Sequence, residues 1–97
     1  MTTIESIKSI LQRLKPELAR KYHVSSIGLF GSVVRGDFSD AKSDIDIIVD
    51  FSKPVGIEFV DLADFLEAQI RRKIDLVSRK GIKKNYYQQI ESEIVYV

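Results

Sequence analysis

Apolar residues recur along the first quarter of the chain at the spacing of an α-helix. The stripe consists of Ile4, Ile7, Leu11, Leu14 and Leu18. Intervals of three and four residues place these side chains on one face, which predicts an amphipathic helix packed against a core. Thr2 and Glu5 have the spacing of a capping box that would open this helix. Pro16 interrupts the stripe, and because proline is tolerated in a first helical turn, we expect a second short helix to begin there.

Further along, β-branched residues and turn-forming residues alternate in a way that is typical of strands separated by helices. Strands are predicted over residues 24–30, 44–51 and 73–78, with a short closing strand over 93–97. A helical turn is predicted over 32–35, a polar loop over 36–43, a turn over 52–56, and helices over 57–70 and 82–91. The link between the first two strands is too short for a parallel crossover, so we expect these strands to be antiparallel or to belong to a mixed sheet.

Composition and charge narrow the class of protein. The chain has 97 residues, no cysteine and a formal net charge of +1. This length predicts one domain over residues 1–97, and the lack of cysteine excludes disulfides and thiolate metal sites. A near-neutral charge argues against general DNA binding. Without a signal-peptide pattern or an apolar run of about 20 residues, we expect a soluble, cytoplasmic protein. The basic clusters at 71–73 and 79–84 favour solvated faces, with a phosphate-rich ligand or an acidic partner as the alternative.

Two aspartates lie one residue apart in the second predicted strand. Residues i and i+2 of a strand point to the same face, about 6.5 Å apart, so Asp44 and Asp46 project together while Ile45 and Ile47 face the core. Two ionised carboxylates this close repel unless one is protonated or a cation lies between them. Mg²⁺ prefers oxygen ligands and uses one or two carboxylates together with waters and phosphates. The alternative is an exposed edge strand with solvated acids.

A glycine and a serine end the first predicted strand. Gly31 can adopt positive φ and lets a ligand approach the backbone closely. Ser32 would then lie at a helix N-terminus, where free N–H groups and the helix dipole favour a phosphate. The alternative is a plain turn in which Ser32 caps the helix.

A third acid, Asp75, lies in the predicted strand over 73–78. If that strand is a neighbour of the second, Asp75 joins the aspartate pair and could accept a proton from an attacking hydroxyl. Its alternative role is a strand-end ion pair with Arg72 or Lys73. For Tyr86 and Tyr87 we favour packing of the last helix on the sheet over stacking on a base.

Residues 30–49 have the pattern F-G-S-x-x-R-G-x-x-x-x-x-x-S-D-I-D-I-I-V. This pattern resembles the signature of minimal nucleotidyltransferases of the polymerase-beta-like superfamily, and the resemblance extends over essentially the whole chain. It implies a two-layer α+β fold with a small mixed sheet covered by helices. It also implies ATP as substrate, bound by Gly31, Ser32, Arg35 and Ser43. Mg²⁺, with two ions expected, would be bound by the catalytic acids Asp44, Asp46 and Asp75.

Members of this size resemble the antitoxin half of HEPN/MNT toxin–antitoxin pairs. The resemblance implies a HEPN ribonuclease toxin as partner and transfer of AMP from ATP to a tyrosine hydroxyl of that toxin. A first alternative is an antitoxin that neutralises the toxin by binding alone and does not catalyse. A second is a transferase for small molecules or nucleic-acid ends, which the lack of an acceptor-binding domain disfavours.

Overall fold

The chain folds as a four-stranded mixed sheet with helices. The computed structural model describes residues 3–39 and 42–97. Its elements are α1 (Ile4–Tyr22), β1 (Val24–Phe30), α2 (Ser32–Arg35), β2 (Ile45–Phe51), α3 (Glu58–Ile70), β3 (Ile74–Ser78), α4 (Lys84–Ile90), a 3-10 turn (Glu91–Glu93) and β4 (Val95–Tyr96). The strand order is β3-β2-β1-β4. Strand β1 runs antiparallel to β2 and β4, and β3 runs parallel to β2, which confirms the predicted mixed sheet.

The core lies between one face of the sheet and the helices α1 and α3, in agreement with the predicted two-layer α+β fold. Alternate residues of β2 point into this core, and Ile45, Ile47 and Val49 are almost fully buried. A smaller apolar cluster lies where α4 covers part of the other face, and it is built on Phe30, Ile48 and Ile90. Because β2 is apolar on the core side at every second position, the acid between Ile45 and Ile47 must point away from the main core.

Helix α1 continues through Pro16, and the prediction of a separate second helix is wrong. A proline inside a helix removes one backbone hydrogen bond and costs about 3 kcal/mol. However, the stripe residues on both sides of Pro16 are buried together, and each buried leucine or isoleucine side chain contributes about 1.5–3 kcal/mol. These buried residues are Ile7, Leu11, Leu14 and Leu18. The burial of one continuous stripe therefore outweighs the lost hydrogen bond.

The capping box of α1 differs from the prediction by one residue. The N-cap is Thr3, whose side chain accepts a hydrogen bond from the Ser6 N–H at 3.2 Å, and the Thr3 N–H donates to Ser6 Oγ at 3.2 Å. Thr2, which we predicted to cap the helix, lies outside the described residues. Serine replaces the usual glutamate of the box, because its short side chain also reaches the N-cap backbone.

The last strand is much shorter than the predicted 93–97, because a 3-10 turn occupies Glu91–Glu93 and leaves only Val95–Tyr96 as β4. This strand pairs with Gly28 and Leu29 of β1, and the Val97 N–H donates to the Ile27 carbonyl at 3.0 Å. A side chain at Gly28 would lie 2.8 Å from Cγ2 of Ile94, so a glycine is required for this close packing. Among the described helices, none is both long and apolar enough to cross a membrane.

Candidate active site

The strand register brings two of the predicted acids face to face. Asp46 of β2 is the direct partner of Asp75 in the parallel pair with β3. On its other side, Asp46 is the partner of Phe30, the last residue of β1, so that it lies beside the Gly31 turn. Neighbouring strands are about 4.8 Å apart, and two carboxylates in register are therefore within reach of each other. Asp46 is the central residue of the predicted site.

The electrostatics of Asp46 show how closely the acids are grouped. Its pKa is raised from 3.8 to about 6, first by burial, then by the charge of the Asp75 carboxylate and a hydrogen bond to it, and then by the charge of Asp44. The guanidinium of Arg35 acts in the opposite direction and lowers this pKa. The structure thus brings together Asp44, Asp46, Asp75 and Arg35, which are four of the residues predicted from the sequence.

Gly31 forms the turn between β1 and α2, in a conformation that only glycine adopts without strain. Its φ is 76° and its ψ is −149°. A side chain here would overlap the Asp46 carboxylate, whose Cγ lies 3.0 Å from the position of the missing Cβ. The Gly31 carbonyl accepts hydrogen bonds from the N–H groups of Val34 and Arg35, both at 3.0 Å. The glycine is thus needed for both the turn and the close approach of Asp46.

The two predicted serines have different surroundings. The N-cap of α2 is Gly31, so the alternative role of Ser32 as the cap is wrong. The Ser43 hydroxyl accepts a hydrogen bond from the Ser39 N–H at 3.0 Å and closes the loop before β2. A role of either serine in nucleotide binding stays a prediction.

A cavity of about 310 Å³ opens next to these residues. It is lined by Phe30, Gly31, Arg35, Asp46, Tyr86, Gln89, Ile90 and Glu93. A larger cavity of about 410 Å³ lies elsewhere, between Phe51, Phe59 and Ile82, and its lining is mostly apolar. We take the smaller cavity as the candidate active site, because acids, a guanidinium and a close backbone approach are the groups that phosphate chemistry requires.

Several residues that line the cavity were not predicted as site residues, among them Tyr86 and Glu93. Tyr86 is 41% exposed and packs its ring edge-on against Phe30, with ring centroids 6.3 Å apart. Burial and the charges of Asp46 and Asp75 raise the pKa of its phenol, so the hydroxyl stays protonated near these acids. The predicted packing role describes Tyr87, which lies against the Phe30–Ile48–Ile90 cluster, better than Tyr86. Glu93 also lines the cavity, and no periodicity or motif marks it.

The acids are suited to Mg²⁺, although they do not form a complete cage. In the part of the chain that the structure describes, no three acidic, histidine or cysteine side chains are grouped so as to hold a metal ion. Mg²⁺ does not require such a group, since it uses one or two carboxylates and takes waters and substrate phosphates as its other ligands. The repulsion that raises the pKa of Asp46 is what a divalent cation would relieve. The residues present therefore fit a magnesium ion that binds together with a nucleotide.

Comparison with known proteins shows the family to which the chain belongs. The fold, the glycine turn and the acids define a nucleotidyltransferase, and the chain belongs to the nucleotidyltransferase domain family, whose model matches residues 11–97. Within that family it is similar over its whole length to the protein adenylyltransferase MntA of Thermococcus cleftensis. The two share 41% identity over 98 residues, which cover 100% of this chain and 98% of that protein.

Solved structures show the same fold. A protein assigned as a minimal nucleotidyltransferase superimposes with a TM-score of 0.82 at 24% identity and covers 97% of this chain and 95% of its own. A toxin–antitoxin structure determined with AMP-PNP gives a TM-score of 0.71 at 26% identity, covering 88% of this chain and 70% of that chain. A complex of tri-AMPylated Shewanella oneidensis HEPN toxin with MNT antitoxin gives 0.66 at 22% identity, covering 93% and 70%.

The raised pKa of Asp46 predicts a stability that falls as the pH rises. The pKa of the Asp46 carboxyl is ordinarily 3.8 and is about 6 in the fold. Between these two pH values the folded chain therefore binds the Asp46 proton more tightly than the unfolded chain does. The contribution of Asp46 to the free energy of unfolding is therefore highest below pH 3.8 and falls as the pH rises to about 6. A fully buried group would account for about 3 kcal/mol, and for the half-buried Asp46 we expect about 1 kcal/mol after solvent screening.

Denaturant titrations of the wild type and of Asp46→Asn at about pH 4.5 and pH 7.5 measure this effect. The variant carries no charge at this position, so its stability relative to the wild type should increase by about 1 kcal/mol between the two pH values. A difference that is the same at both pH values would contradict the expected titration of Asp46.

Proposed function

We propose that this protein transfers AMP from ATP to a tyrosine hydroxyl of a cognate HEPN ribonuclease toxin, in a Mg²⁺-dependent reaction. The observation that carries the proposal is the position of Asp46, which lies opposite Asp75 and directly over Gly31 at one cavity. A nucleotide bound there would have its phosphates between the glycine turn, the Arg35 guanidinium and the acids. Identity of 41% to the T. cleftensis protein adenylyltransferase supports AMP transfer as the reaction.

The residues would bind phosphate, hold metal and accept a proton, and Asp75 would take part in both of the last two roles. The Gly31 N–H, the Ser32 hydroxyl and the Arg35 guanidinium would bind the triphosphate, with Ser43 on the neighbouring loop. Asp44, Asp46 and Asp75 would hold Mg²⁺. When bound, the ion would neutralise the negative charge on the phosphate oxygens.

The reaction itself is an in-line displacement at the α-phosphorus. The tyrosine oxygen forms a bond to this phosphorus, and the bond to the bridging oxygen of the β-phosphate breaks, so that pyrophosphate leaves. The proton of the tyrosine hydroxyl passes to a carboxylate, and Asp75 is suited to accept it, because it is the exposed member of the facing pair. An exposed acceptor of protons suits a substrate that is itself a protein surface.

The toxin partner is supported by the fold and by solved toxin–antitoxin structures. The MNT antitoxin that is found in complex with the tri-AMPylated S. oneidensis toxin has this fold. The AMP-PNP toxin–antitoxin structure, at 26% identity, supports ATP as the nucleotide.

A second candidate function is neutralisation of the toxin by binding alone. It is favoured by an exposed apolar surface at the start of α3, where Ile57 is 68% and Val60 is 53% exposed. Exposed apolar groups of this kind are common in protein–protein interfaces. This surface lies outside the lining of the candidate active site, so binding and catalysis can be separated by experiment.

Labelled ATP tests the proposal against this alternative. The protein is incubated with its co-purified HEPN toxin and with ATP labelled on either the α- or the γ-phosphate. We expect the toxin to become labelled from α-labelled ATP only, in the presence of Mg²⁺ but not of EDTA, and not with Asp44→Asn. Neutralisation of the toxin without any transfer of label, or with Asp44→Asn at equal protein levels, would contradict the proposal and support binding alone.

A further inference from the structure

The phosphate-binding groups of the candidate site already hold a carboxylate of the chain itself. The Gly31 N–H donates to Oε1 of Glu93 at 3.0 Å. Nη1 of Arg35 donates to the same oxygen at 3.3 Å and to Oε2 at 3.5 Å. The backbone N–H of Gly31 and the guanidinium of Arg35 are two of the donors that the proposed function assigns to the triphosphate. Glu93 thus occupies them with another oxygen anion.

The architecture of the C-terminal segment delivers Glu93 to this position. Glu93 ends the 3-10 turn, and β4 begins two residues later, paired with Gly28 and Leu29 just before the glycine turn. The side chain of Glu93 is only 23% exposed and lines the same cavity as Asp46. A charged group that is largely withdrawn from water needs partners of opposite charge or hydrogen-bond donors, and Gly31 and Arg35 are these partners.

A nucleotide cannot bind these donors while Glu93 holds them. One N–H of Gly31 serves one acceptor well, and a triphosphate beside the Glu93 carboxylate would also repel it. We propose that Glu93 is an intramolecular competitor of the ATP phosphates, which the nucleotide must displace, and that it thereby sets the affinity of the site for nucleotide. This inference rests on the proposed function, because it takes the Gly31–Arg35 donors as the phosphate site.

The variant Glu93→Gln tests the competition with little change in structure. Glutamine keeps an oxygen that accepts from the Gly31 N–H but loses the negative charge that pairs with Arg35. We therefore expect phosphate to displace the side chain of this variant from Gly31 and Arg35 more readily. A matched control is Glu91→Gln in the same 3-10 turn, because this change removes the same charge from an exposed side chain that is not part of the described cavity lining.

Calorimetric titrations measure the binding of three probes in the presence of Mg²⁺: AMP-PNP, inorganic tripolyphosphate and adenosine. For Glu93→Gln we expect the Kd of AMP-PNP and of tripolyphosphate to fall about tenfold, the effect of one charge-assisted hydrogen bond. Adenosine, which has no phosphate, should bind as it does to the wild type. Glu91→Gln should change all three by no more than about twofold. In AMP transfer, the KM for ATP should fall and kcat should change little.

Unchanged or weaker binding of AMP-PNP and tripolyphosphate to Glu93→Gln would overturn the inference. Weaker binding would show instead that Glu93 positions Arg35 for the nucleotide. An equal change for adenosine would also overturn it, because the effect would not concern phosphate. Thermal unfolding of both variants identifies any loss of fold. The proposed function fails separately, if the wild-type protein transfers no label to the toxin, whereas the inference alone fails if the wild type transfers label but Glu93→Gln binds no tighter.

Discussion

Replacing Asp46 with Asn is expected to reduce AMP transfer by about 10³-fold, because the variant loses a carboxylate that the proposed function assigns to Mg²⁺, a contribution of several kcal/mol in the transition state. The same change is expected to stabilise the folded chain at neutral pH. Burial raises the pKa of the Asp46 carboxyl to about 6, together with the smaller effects of the charges of Asp75 and Asp44. Asparagine has the same shape without this repulsion, and we expect a gain of about 1 kcal/mol in the free energy of unfolding.

Opposite effects on activity and stability distinguish a functional acid from a structural one. The matched control is Asp50→Asn, four residues along the same strand and on the same face. Oδ1 of Asp50 accepts a hydrogen bond from the Phe51 N–H at 2.9 Å, and asparagine can keep this bond. Label transfer from α-labelled ATP and denaturant titration, measured for both variants, give the comparison. If Asp46→Asn kept more than a tenth of the wild-type rate of AMP transfer, the catalytic role assigned to Asp46 would be refuted.

Replacing Gly31 with Ala is expected to destabilise the chain by about 3 kcal/mol and to reduce AMP transfer by about 10²-fold. Two separate causes combine. The backbone of Gly31, with φ of 76° and ψ of −149°, is strained for any residue with a side chain. In addition, the new methyl group would overlap the Asp46 carboxylate and push it out of line with Asp75.

Gly36→Ala separates the two causes. Gly36 also has positive φ, at 87°, but a side chain there would meet no atom of residues 3–39 and 42–97 within 4 Å. We expect a loss of about 1–2 kcal/mol from the backbone alone and nearly full AMP transfer. A second comparison uses Asp46→Ala as background, in which Gly31→Ala should cost no more stability than Gly36→Ala does. Equal losses for Gly31→Ala in both backgrounds would show that contact with Asp46 is not the cause.

The elements of the fold were largely predictable, because each depends on a local pattern. The bounds of β1 and α2 were predicted without error, and those of β2, α3 and β3 to within one residue. The errors have local causes as well. Pro16 indicated a break in α1, but the buried stripe on both sides of it keeps one helix. The closing strand was predicted too long, since the apolar and polar residues of 93–97 do not show that a 3-10 turn precedes it.

The candidate site was predictable where its residues are close in sequence and much less so where they are distant. The motif over residues 30–49 pointed to Gly31, Arg35, Asp44 and Asp46, and their grouping agrees with that prediction. The prediction for Asp75 depended on one condition, namely that its strand is a neighbour of β2. Glu93 and the exposed position of Tyr86 were missed, because only the path of the C-terminal segment across β1 brings them to the cavity.

By itself, the sequence of this protein determined which segments form helices and strands and that two acids and a glycine turn share one short motif. These features follow from side-chain periodicity and from the conformational freedom of glycine, which act over a few residues. The tertiary structure alone decided that Asp46 faces Asp75, that its carboxylate lies over Gly31, and that Glu93 holds the donors of Gly31 and Arg35. Strand order and register decide these contacts, and they result from packing between residues that are far apart in the chain.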